Sequence, residues 1–523
     1  MNINKPEIIL IHPCRFIGQN EERSLEYGQK FMPLGLLSLG TFLKKNNFRV
    51  KIIDVPMDKN FQQTIIDNIN DELILVGISV MTIHISSALD ITKFIKNINK
   101  NIPVVWGGIH PTLFPKETCR HPLIDFVIAG DGELPLLELT RSLKNKKEFK
   151  HIKGLAYREK GAIVFNKDLY PALDINLFPI FNYDLLEVEK YIYKNIDITG
   201  IKGGHIQRVM PVLAGRGCPY KCTFCINTTD RKQYRGKTAE RLLEEIHLVI
   251  DKYKAEYIHF EDEVFLLNKN RIEKLFDGIE KNNYKFNWLA TIRANFYKPE
   301  LISEELLARM KRNGCLNLCM GIESGSPRML KIYKKEITVE EAKHAAVLNY
   351  KYSFFCNYSF IVGAPTETKE DILQSLRLAK ELRKIDPLGF VSFQTFRPQS
   401  GCELYEKSLA MGLKVPIALE DWAVASQSSL RGYFSLEYLP WLNKKQAEFY
   451  EYLSIFAELS FQNLHRIKKS IRIIAWMARQ LFLFRLITNF WGILIEMKLY
   501  NFLKQHGLFK HIRKVFFTPK HRI

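Results

Sequence analysis

Short apolar runs that alternate with helix-like segments constrain the fold of this chain more than any other feature of its sequence. In the first block, the apolar runs lie at 8–12, 50–54, 73–79, 104–106 and 126–128. Segments with helical periodicity separate them, at about 35–46, 61–70, 84–99 and 134–144. Strands that are apolar along their whole length are buried on both faces, which is typical of a parallel sheet covered by helices. We therefore predict an α/β fold, with residues 1–145 as the first domain.

A second block of the same kind begins near residue 206. Its apolar runs lie at 209–214, 257–261, 287–292, 316–320, 356–362 and 390–396, and helical segments fill the gaps at about 239–252, 269–281, 303–313, 339–349 and 369–384. Six β/α units are two fewer than a closed eightfold barrel contains, so we predict a partial, open barrel over residues 206–410. We predict that residues 146–205, which contain a hairpin pattern at 154–165, form a connector. We also predict that residues 411–523 form a basic, helical C-terminal extension.

Three cysteines stand close together in the loop that follows the first strand of the second block. Cys218, Cys222 and Cys225 have the spacing C-x-x-x-C-x-x-C, next to Gly217 and Pro219. A structural zinc ion takes four protein ligands, and no fourth Cys or His stands nearby in the sequence. Three thiolates suit a [4Fe–4S] cube with one iron left open. The alternative is three unconnected buried cysteines, for which a loop with glycine and proline is a poor setting.

The other cysteines are scattered along the chain. The nine cysteines show no secretory disulfide framework, so we expect a reducing, cytoplasmic compartment. Cys315 and Cys319 form a second C-x-x-x-C, but they flank a predicted buried strand. We interpret these two as core residues rather than ligands.

Glycine and polar residues follow the strands in both blocks, at the ends where parallel sheets bind ligands. In the second block they are Glu261-Asp262-Glu263, Arg293, 321–326 and 363–368. In the first block they are Ser79, Gly107-Gly108 and 130–133. No G-x-G-x-x-G follows the first strand, which disfavours a dinucleotide. Glycines at several strand ends together favour a flat, extended ligand.

These residues resemble the cobalamin-binding radical S-adenosylmethionine (SAM) proteins, a family that includes the anaerobic magnesium-protoporphyrin ester cyclase and many C-methyltransferases. The resemblance covers roughly residues 5–405. Besides the cysteine spacing with Phe224 before the last cysteine, it is carried by 321–325 (GIESG), 360–367 (FIVGAPTE), 33–36 (PLGL), 107–111 (GGIHP) and 130–133 (GDGE). It implies an N-terminal Rossmann-like cobalamin-binding domain, a partial (β/α)6 radical SAM barrel and a helical C-terminal extension.

The resemblance also implies roles for the residues at the strand ends. Cys218, Cys222 and Cys225 would hold a [4Fe–4S] cluster, and SAM would bind its open iron. Asp262 or Glu263 would accept the SAM amino group, and Arg293 would pair with its carboxylate. The other implied SAM contacts are Phe224, Glu323, Ser324, Ile361 and Gly363. The implied cobalamin contacts are Leu34, Gly35, Ser79, Gly107, Gly108, Gly130 and Glu133.

In proteins of this family the cofactors carry the difficult step, while the protein orients them and excludes water. An electron from a donor such as flavodoxin or ferredoxin would enter the cluster and cleave SAM to a 5′-deoxyadenosyl radical. That radical would take hydrogen from an unactivated carbon, and cobalamin would donate a methyl group. The function that the resemblance implies is a radical SAM methyltransferase or cyclase, which acts on a small-molecule or lipid-like substrate.

One feature of many cobalamin proteins is missing from the sequence. They bring a histidine to cobalt in a D-x-H-x-x-G segment, whereas Asp54 is followed here by Val55-Pro56-Met57. We therefore predict base-off cobalamin without a histidine ligand, with His110 as the alternative ligand. Two other functions stay open: a non-catalytic cobalamin- or cluster-binding sensor, and an RNA-modifying methylthiotransferase. The second would need further cluster cysteines in the first domain, which has only Cys14 and Cys119.

Most of the net charge lies in the C-terminal tail. The whole chain has a formal charge of +20, and residues 461–523 hold 13 Lys or Arg and one acidic residue, Glu496. The longest uncharged stretch, 486–495, is shorter than the roughly 20 residues that cross a bilayer. The pattern predicts either a basic amphipathic helix in peripheral contact with the acidic inner face of a membrane, or a helical cap on the barrel. Nucleic acid is disfavoured, because the aromatic residues stand in apolar runs.

Overall fold

The computed structural model describes residues 5–14, 31–192, 208–228, 233–427, 439–457, 472–488, 494, 496 and 498. The chain divides into two compact units. The first comprises Met1–Ile192 and Lys414–Tyr438, and the second comprises Tyr193–Leu413 and Leu439–Ile523. A compact unit is a domain only if it also folds independently, and this division does not test independent folding. The domain boundaries predicted near residues 145, 205 and 410 therefore stay a prediction.

The first unit is built on a single seven-stranded sheet. Its strands are β1 (Ile8–His12), β2 (Val50–Asp54), β3 (Leu75–Ser79), β4 (Val104–Gly107), β5 (Phe126–Ile128), β6 (Leu155–Glu159) and β7 (Ala162–Phe165). Their order in the sheet is β2-β1-β3-β4-β5-β6-β7. The first five pair in parallel, while β6 and β7 add an antiparallel hairpin at one edge. The α/β prediction is confirmed, and the hairpin predicted at 154–165 extends this sheet.

Helices pack on the sheet of the first unit because its strands are apolar on both faces. They span Leu34–Lys45, Phe61–Asn68, Ile85–Ile98, Ile109–Leu113, Pro115–Cys119, Glu133–Lys144 and, from beyond the barrel, Leu419–Gln427. This last helix places Trp422 in the same buried cluster as Ile78, Ile85 and Trp106. The core of the first unit therefore includes side chains from the C-terminal part of the chain.

The second unit is built on six parallel strands. They are β8 (Val209–Val212), β11 (Tyr257–Phe260), β12 (Asn287–Ile292), β13 (Cys315–Glu323), β14 (Phe355–Val362) and β15 (Phe390–Thr395). Two short strands, β9 (Gly215–Arg216) and β10 (Arg235–Gly236), form a separate antiparallel pair. The large sheet runs in sequence order from β8 to β15, which stand at its opposite ends. The described strands thus form the open, partial barrel that the sequence predicts.

Six of the helices that alternate with or follow the strands of the second unit begin next to a residue whose side chain caps them. The helices that alternate with or follow the strands span Ala239–Asp251, Lys269–Lys281, Glu304–Arg312, Pro327–Ile332, Val339–Lys351, Lys369–Ile385 and Glu403–Ala410. Side chains that accept a hydrogen bond from a backbone N–H of the first turn belong to Thr238, Asn268, Ser303, Ser326, Thr338 and Thr368. Because unpaired N–H groups at a helix start cost free energy, these caps fix where each helix begins and hence where each loop ends.

Strand β13 is longer than its apolar run indicates. The run at 316–320 predicts an end before Gly321, whereas the strand continues to Glu323. Its pairing with β14 shifts register between these two residues, and Glu323 has a φ of +67°. Because Gly321 and Glu323 are not apolar, the apolar run that predicts the strand stops before them, although strand pairing continues.

Most of the described residues of the C-terminal extension are helical. It contains helices Lys444–Tyr452 and Arg472–Thr488 and a π-helical segment, Leu453–Ala457. Within the described part of the chain, no helix is long and apolar enough to cross a membrane. The remainder of the predicted helical tail, including 499–514, lies outside the described residues.

Candidate active site

The cysteine loop (residues 217–225) follows β9, and backbone hydrogen bonds hold it in place. The Cys225 N–H donates to the Cys222 carbonyl at 3.0 Å, which closes a turn between two of the cysteines. The Thr223 N–H donates to the Tyr333 carbonyl, also at 3.0 Å. The loop is therefore anchored to the chain that follows β13.

The environment of the thiols decides whether they can act as ligands. Cys222 is buried, and Cys218 and Cys225 are partly exposed. Burial raises the pKa of Cys218, and it raises the pKa of Cys225 to about 11. Two cations oppose this effect: Arg293 lowers the pKa of Cys218, and Lys335 lowers that of Cys225. Since the thiolate is the metal ligand, these cations favour the form that binds metal.

The cysteine loop supplies three thiols for a metal centre. Among the described residues, no three His, Cys, Asp or Glu side chains converge closely enough to hold one metal ion. Three cysteines on one loop, without a fourth, fit a cube whose last iron is open to another ligand.

Arg293 lies directly against the cysteine loop. Its guanidinium carbon is 3.5 Å from the centroid of the Tyr220 ring, and its Nη1 donates to Cys222 Sγ at 3.8 Å. Its Nη2 donates to the carbonyl of Lys335. The side chain is buried, so its charge acts in a poorly screened environment. A fixed, planar guanidinium at this place suits a carboxylate ligand.

A buried ion pair stands at the end of β13. Lys335 Nζ lies 2.8 Å from Glu323 Oε1, and 5.9 Å from the centroid of the Phe224 ring. The structure thus brings the predicted residues Glu323 and Phe224 together through a lysine that the sequence analysis missed. Lys335 follows a short helix rather than a strand, so no strand-end pattern marks it. The predicted Ser324 is fully buried, and its hydroxyl is 3.1 Å from Ser375 Oγ.

The two acidic candidates after β11 differ in their surroundings. Asp262 is buried, and its Oδ1 accepts a hydrogen bond from the Ala214 N–H at 2.7 Å. Burial raises the pKa of Asp262 to about 7. Glu263 is partly exposed. Asp262 therefore ties the end of β11 to the end of β8, and Glu263 is the more accessible carboxylate of the two.

An apolar cluster adjoins the cysteine loop. Its buried members are Met329, Tyr333, Ala364, Phe396 and Leu404, and Phe224, Ile332, Ile361 and Trp441 pack against it. The structure thus joins two predicted SAM contacts, Phe224 and Ile361, in one apolar environment. Such a surface suits a flat, apolar group and excludes water.

Gly363, at the end of β14, is held from three directions. Its N–H donates to Glu367 Oε2 at 2.5 Å, and its carbonyl accepts from Trp441 Nε1 at 3.0 Å. A Cβ at this position would lie 3.1 Å from the Tyr450 ring, and φ is +84°. In this structure Tyr450 occupies the space beside Gly363, where the family resemblance implies SAM. A contact between Gly363 and SAM stays a prediction.

The predicted cobalamin contacts Ser79, Gly107, Gly108 and Gly130 lie at strand ends of the first unit, along one edge of its parallel sheet. Gly108 has a φ of +99°, and a Cβ there would lie 3.0 Å from the backbone of Val80. Only glycine fits this backbone without strain.

The remaining predicted cobalamin contacts lie on two helices. Gly35, next to Leu34 at the start of Leu34–Lys45, is exposed, and nothing lies within 4 Å of the position a Cβ would take. Glu133 is buried, and its Oε1 accepts a hydrogen bond from Ser38 Oγ at 2.6 Å. Glu133 therefore joins two helices, while Gly35 leaves its backbone open to a ligand.

His110 packs as a core histidine. It is fully buried, with its ring 5.1 Å from Phe114 and 5.3 Å from Trp422. Its Nδ1 is 3.3 Å from Thr82 Oγ1. Burial lowers the pKa of His110 to about 3, so the imidazole is neutral at physiological pH. This packing favours the predicted base-off form over His110 as a cobalt ligand.

A second histidine, which no sequence pattern predicts, lies at the ligand-binding edge of the first sheet. His12, at the end of β1, has its Nδ1 2.7 Å from Asp54 Oδ1 at the end of β2. The Tyr191 hydroxyl donates to the other oxygen of Asp54 at 2.5 Å. The parallel pairing of β1 and β2 creates this arrangement, which no local D-x-H pattern announces.

Comparison with known proteins agrees with this geometry. Two family models match the sequence, the B12 binding domain over residues 24–140 and the radical SAM superfamily over 212–379. An uncharacterized methyltransferase of Pyrococcus horikoshii is 34% identical over 387 residues, which cover 73% of this chain and 79% of the relative. The anaerobic magnesium-protoporphyrin IX monomethyl ester cyclase of Rubrivivax gelatinosus is 23% identical over 384 residues, or 72% of this chain and 65% of the cyclase.

A solved structure shares the fold. The cobalamin-dependent S-adenosylmethionine radical enzyme OxsB, with aqua-cobalamin and S-adenosylmethionine bound, superposes with a TM-score of 0.72 at 16% identity. The match covers 97% of this chain and 76% of that one. At this identity the likeness shows the fold alone.

The open barrel and its cysteine loop define the class of a radical SAM enzyme. With both family models and the Pyrococcus relative, the chain belongs to the B12-binding radical SAM family. The predicted family, fold class and enzyme class are thereby confirmed. The family associates a [4Fe–4S] cluster, SAM and cobalamin with this chain.

Proposed function

We propose that this enzyme cleaves SAM to a 5′-deoxyadenosyl radical and uses it to methylate or cyclise an unactivated carbon of a small-molecule or lipid-like substrate. The observation that carries this proposal is the contact of Arg293 with Cys222 and Tyr220 in the cysteine loop. It sets a carboxylate-binding cation beside the three thiols. The Pyrococcus relative is named a methyltransferase, which favours methyl transfer as the outcome.

The cluster and SAM ends of the site have separate roles. Cys218, Cys222 and Cys225 would hold a [4Fe–4S] cluster, which supplies, when bound, the electron for the cleavage of SAM. Arg293 would bind the SAM carboxylate as a planar fork, and Glu263 or Asp262 the amino group.

The chain after β13 would form the rest of the SAM site. Glu323, paired with Lys335, would bind the ribose, with Ser324 buried behind it. Phe224 and Ile361 would provide an apolar wall that excludes water, next to Gly363.

The first unit would hold cobalamin at the ends of its parallel strands. The contacts we propose are Leu34, Gly35, Ser79, Gly107, Gly108, Gly130 and Glu133. The buried, neutral His110 supports the base-off form without a histidine ligand. The electron donor, flavodoxin or ferredoxin, and peripheral contact with an acidic membrane are further parts of the proposal.

An ultraviolet–visible spectrum of the anaerobically purified protein tests the cofactor assignments. We expect iron–sulfur absorption and cobalamin bands together, with the iron–sulfur absorption lost in Cys222→Ala and the cobalamin bands retained. Cys119→Ala, a buried cysteine of the first unit, is the matched control and should keep both. Iron–sulfur absorption that survives in Cys222→Ala would refute the ligand set.

A further inference from the structure

The helix Arg472–Thr488 carries large apolar side chains on its exposed face. Ile473, Trp476, Met477, Phe484 and Ile487 are between 51% and 74% exposed. At about 100° per residue, these five positions fall on one side of the helix, and we call them the apolar stripe. Single exposed apolar residues are ordinary, whereas an aligned set on one helix marks an interaction surface.

The opposite face of this helix is fixed to the second unit. Phe482 is fully buried and stacks on Tyr452, with ring centroids 6.1 Å apart. Arg485 is buried and pairs with Glu496, through Nε at 2.9 Å and Nη2 at 2.8 Å. The Tyr452 hydroxyl donates to the same carboxylate at 2.8 Å. These contacts hold the helix so that the apolar stripe faces outward.

For the helix Arg472–Thr488, this packing bears on the two sequence-based interpretations of the tail. A helical cap would place its apolar face on the barrel and its polar face outward. In the structure the five residues of the stripe are exposed instead, while Phe482 and Arg485 on the opposite face are buried. The apolar stripe is therefore accessible to an apolar partner outside the protein.

The charge of the C-terminal segment indicates the chemical class of that partner. Residues 461–523 contain 13 Lys or Arg against Glu496, whose carboxylate is already paired with Arg485. A basic segment with tryptophan and phenylalanine on its apolar face is typical of helices that lie in the headgroup region of anionic membranes. Within the described residues, no helix is long and apolar enough to span a bilayer.

We propose that the apolar stripe is the site at which this enzyme docks on an anionic lipid bilayer. This inference rests on the peripheral-contact part of the proposed function and is independent of the radical chemistry. Docking of this kind combines buried apolar area with electrostatic attraction, so both contributions are testable separately.

Vesicle co-sedimentation of the full chain tests the docking site. We expect binding to vesicles of phosphatidylcholine with phosphatidylglycerol, weak binding to phosphatidylcholine alone, and weaker binding at high salt. The double variant Trp476→Ser/Phe484→Ser should lose at least tenfold in partitioning. The matched control Leu177→Ser/Ile417→Ser removes two exposed apolar residues of the first unit and should bind as the wild type does.

Each other outcome overturns the proposal. Equal partitioning of the wild type and the stripe variant, or no binding of the wild type to anionic vesicles, excludes lipid docking through the stripe. A wild-type dimer in light scattering that becomes monomeric in the stripe variant would make the stripe a contact between two copies. Cys222→Ala should bind vesicles normally, so that failure of lipid docking and failure of SAM cleavage are distinguishable.

Discussion

Lys335 and Glu323, twelve positions apart in the sequence, form a buried ion pair of 2.8 Å at the end of β13. Removing one partner of such a pair leaves the other charge buried and uncompensated, which costs about 3 kcal/mol. We expect Lys335→Met to lower the free energy of unfolding by about this amount and to reduce SAM cleavage. Thermal unfolding followed by circular dichroism measures the first effect.

The neighbouring residue supplies the control for that prediction. Lys334 pairs with Glu403, and both side chains are exposed. Exposed pairs contribute at most about 1 kcal/mol, so Lys334→Met should be nearly neutral. Equal losses in the two variants would show that the Glu323 pair has no special role.

Arg293→Lys tests the proposed carboxylate fork. Lysine keeps the charge but loses the planar contact with Tyr220 and the paired N–H donors. We expect the KM for SAM to rise at least about tenfold, because charge-assisted hydrogen bonds of this strength are lost. Iron content should stay at the wild-type level. An unchanged KM would contradict the role of Arg293 in binding SAM.

Stability should fall as the pH rises, in part because of Glu367. Burial raises the pKa of Glu367 from 4.5 to about 8, so between these values the folded state holds a proton that the unfolded state has lost. The contribution of Glu367 to the free energy of unfolding is therefore complete below about pH 4.5. It falls by up to about 1.4 kcal/mol per pH unit as the pH rises from 4.5 to about 8. Asp262, with a pKa of about 7, acts in the same direction.

Glu367→Gln isolates that contribution, because glutamine can still accept the Gly363 N–H. We expect this variant to unfold at a higher temperature than the wild type at pH 8, with a flatter dependence between pH 4.5 and 8. The exposed Glu370→Gln, in the first turn of the helix that follows Glu367, should follow the wild type. Parallel pH curves for all three proteins would disprove the assignment.

The coordination of cobalt is testable by electron paramagnetic resonance of bound cob(II)alamin. The base-off form without a histidine ligand predicts no nitrogen splitting of the cobalt lines. Protein made with histidine that carries the heavy nitrogen isotope should therefore give an unchanged spectrum. Splitting that responds to the isotope and disappears in His12→Ala would instead identify His12, held by Asp54, as the ligand.

The sequence predicted the strands well because each buried parallel strand is apolar along its length. The same signal could not show that β13 continues through Gly321 to Glu323, since pairing there depends on β14. It also could not assign Leu419–Gln427 to the first unit, because burial of Trp422 depends on residues far away in the chain.

The candidate site was predictable only where its residues follow strands. Cys218, Cys222, Cys225 and Arg293 stand at such positions, and the structure brings Arg293 and Cys222 together. Lys335 follows a helix, and His12 and Asp54 meet through strand pairing across 42 residues. Pairs of this kind are created by tertiary structure and leave no local pattern.

Formation of 5′-deoxyadenosine from SAM tests the central claim most directly. Anaerobically reconstituted protein, SAM and a chemical reductant are incubated, and the product is measured by chromatography with mass detection. We predict 5′-deoxyadenosine from the wild type and from Cys119→Ala, and none from Cys222→Ala. Undiminished formation by Cys222→Ala, or none by wild-type protein that contains an intact cluster, would contradict the account.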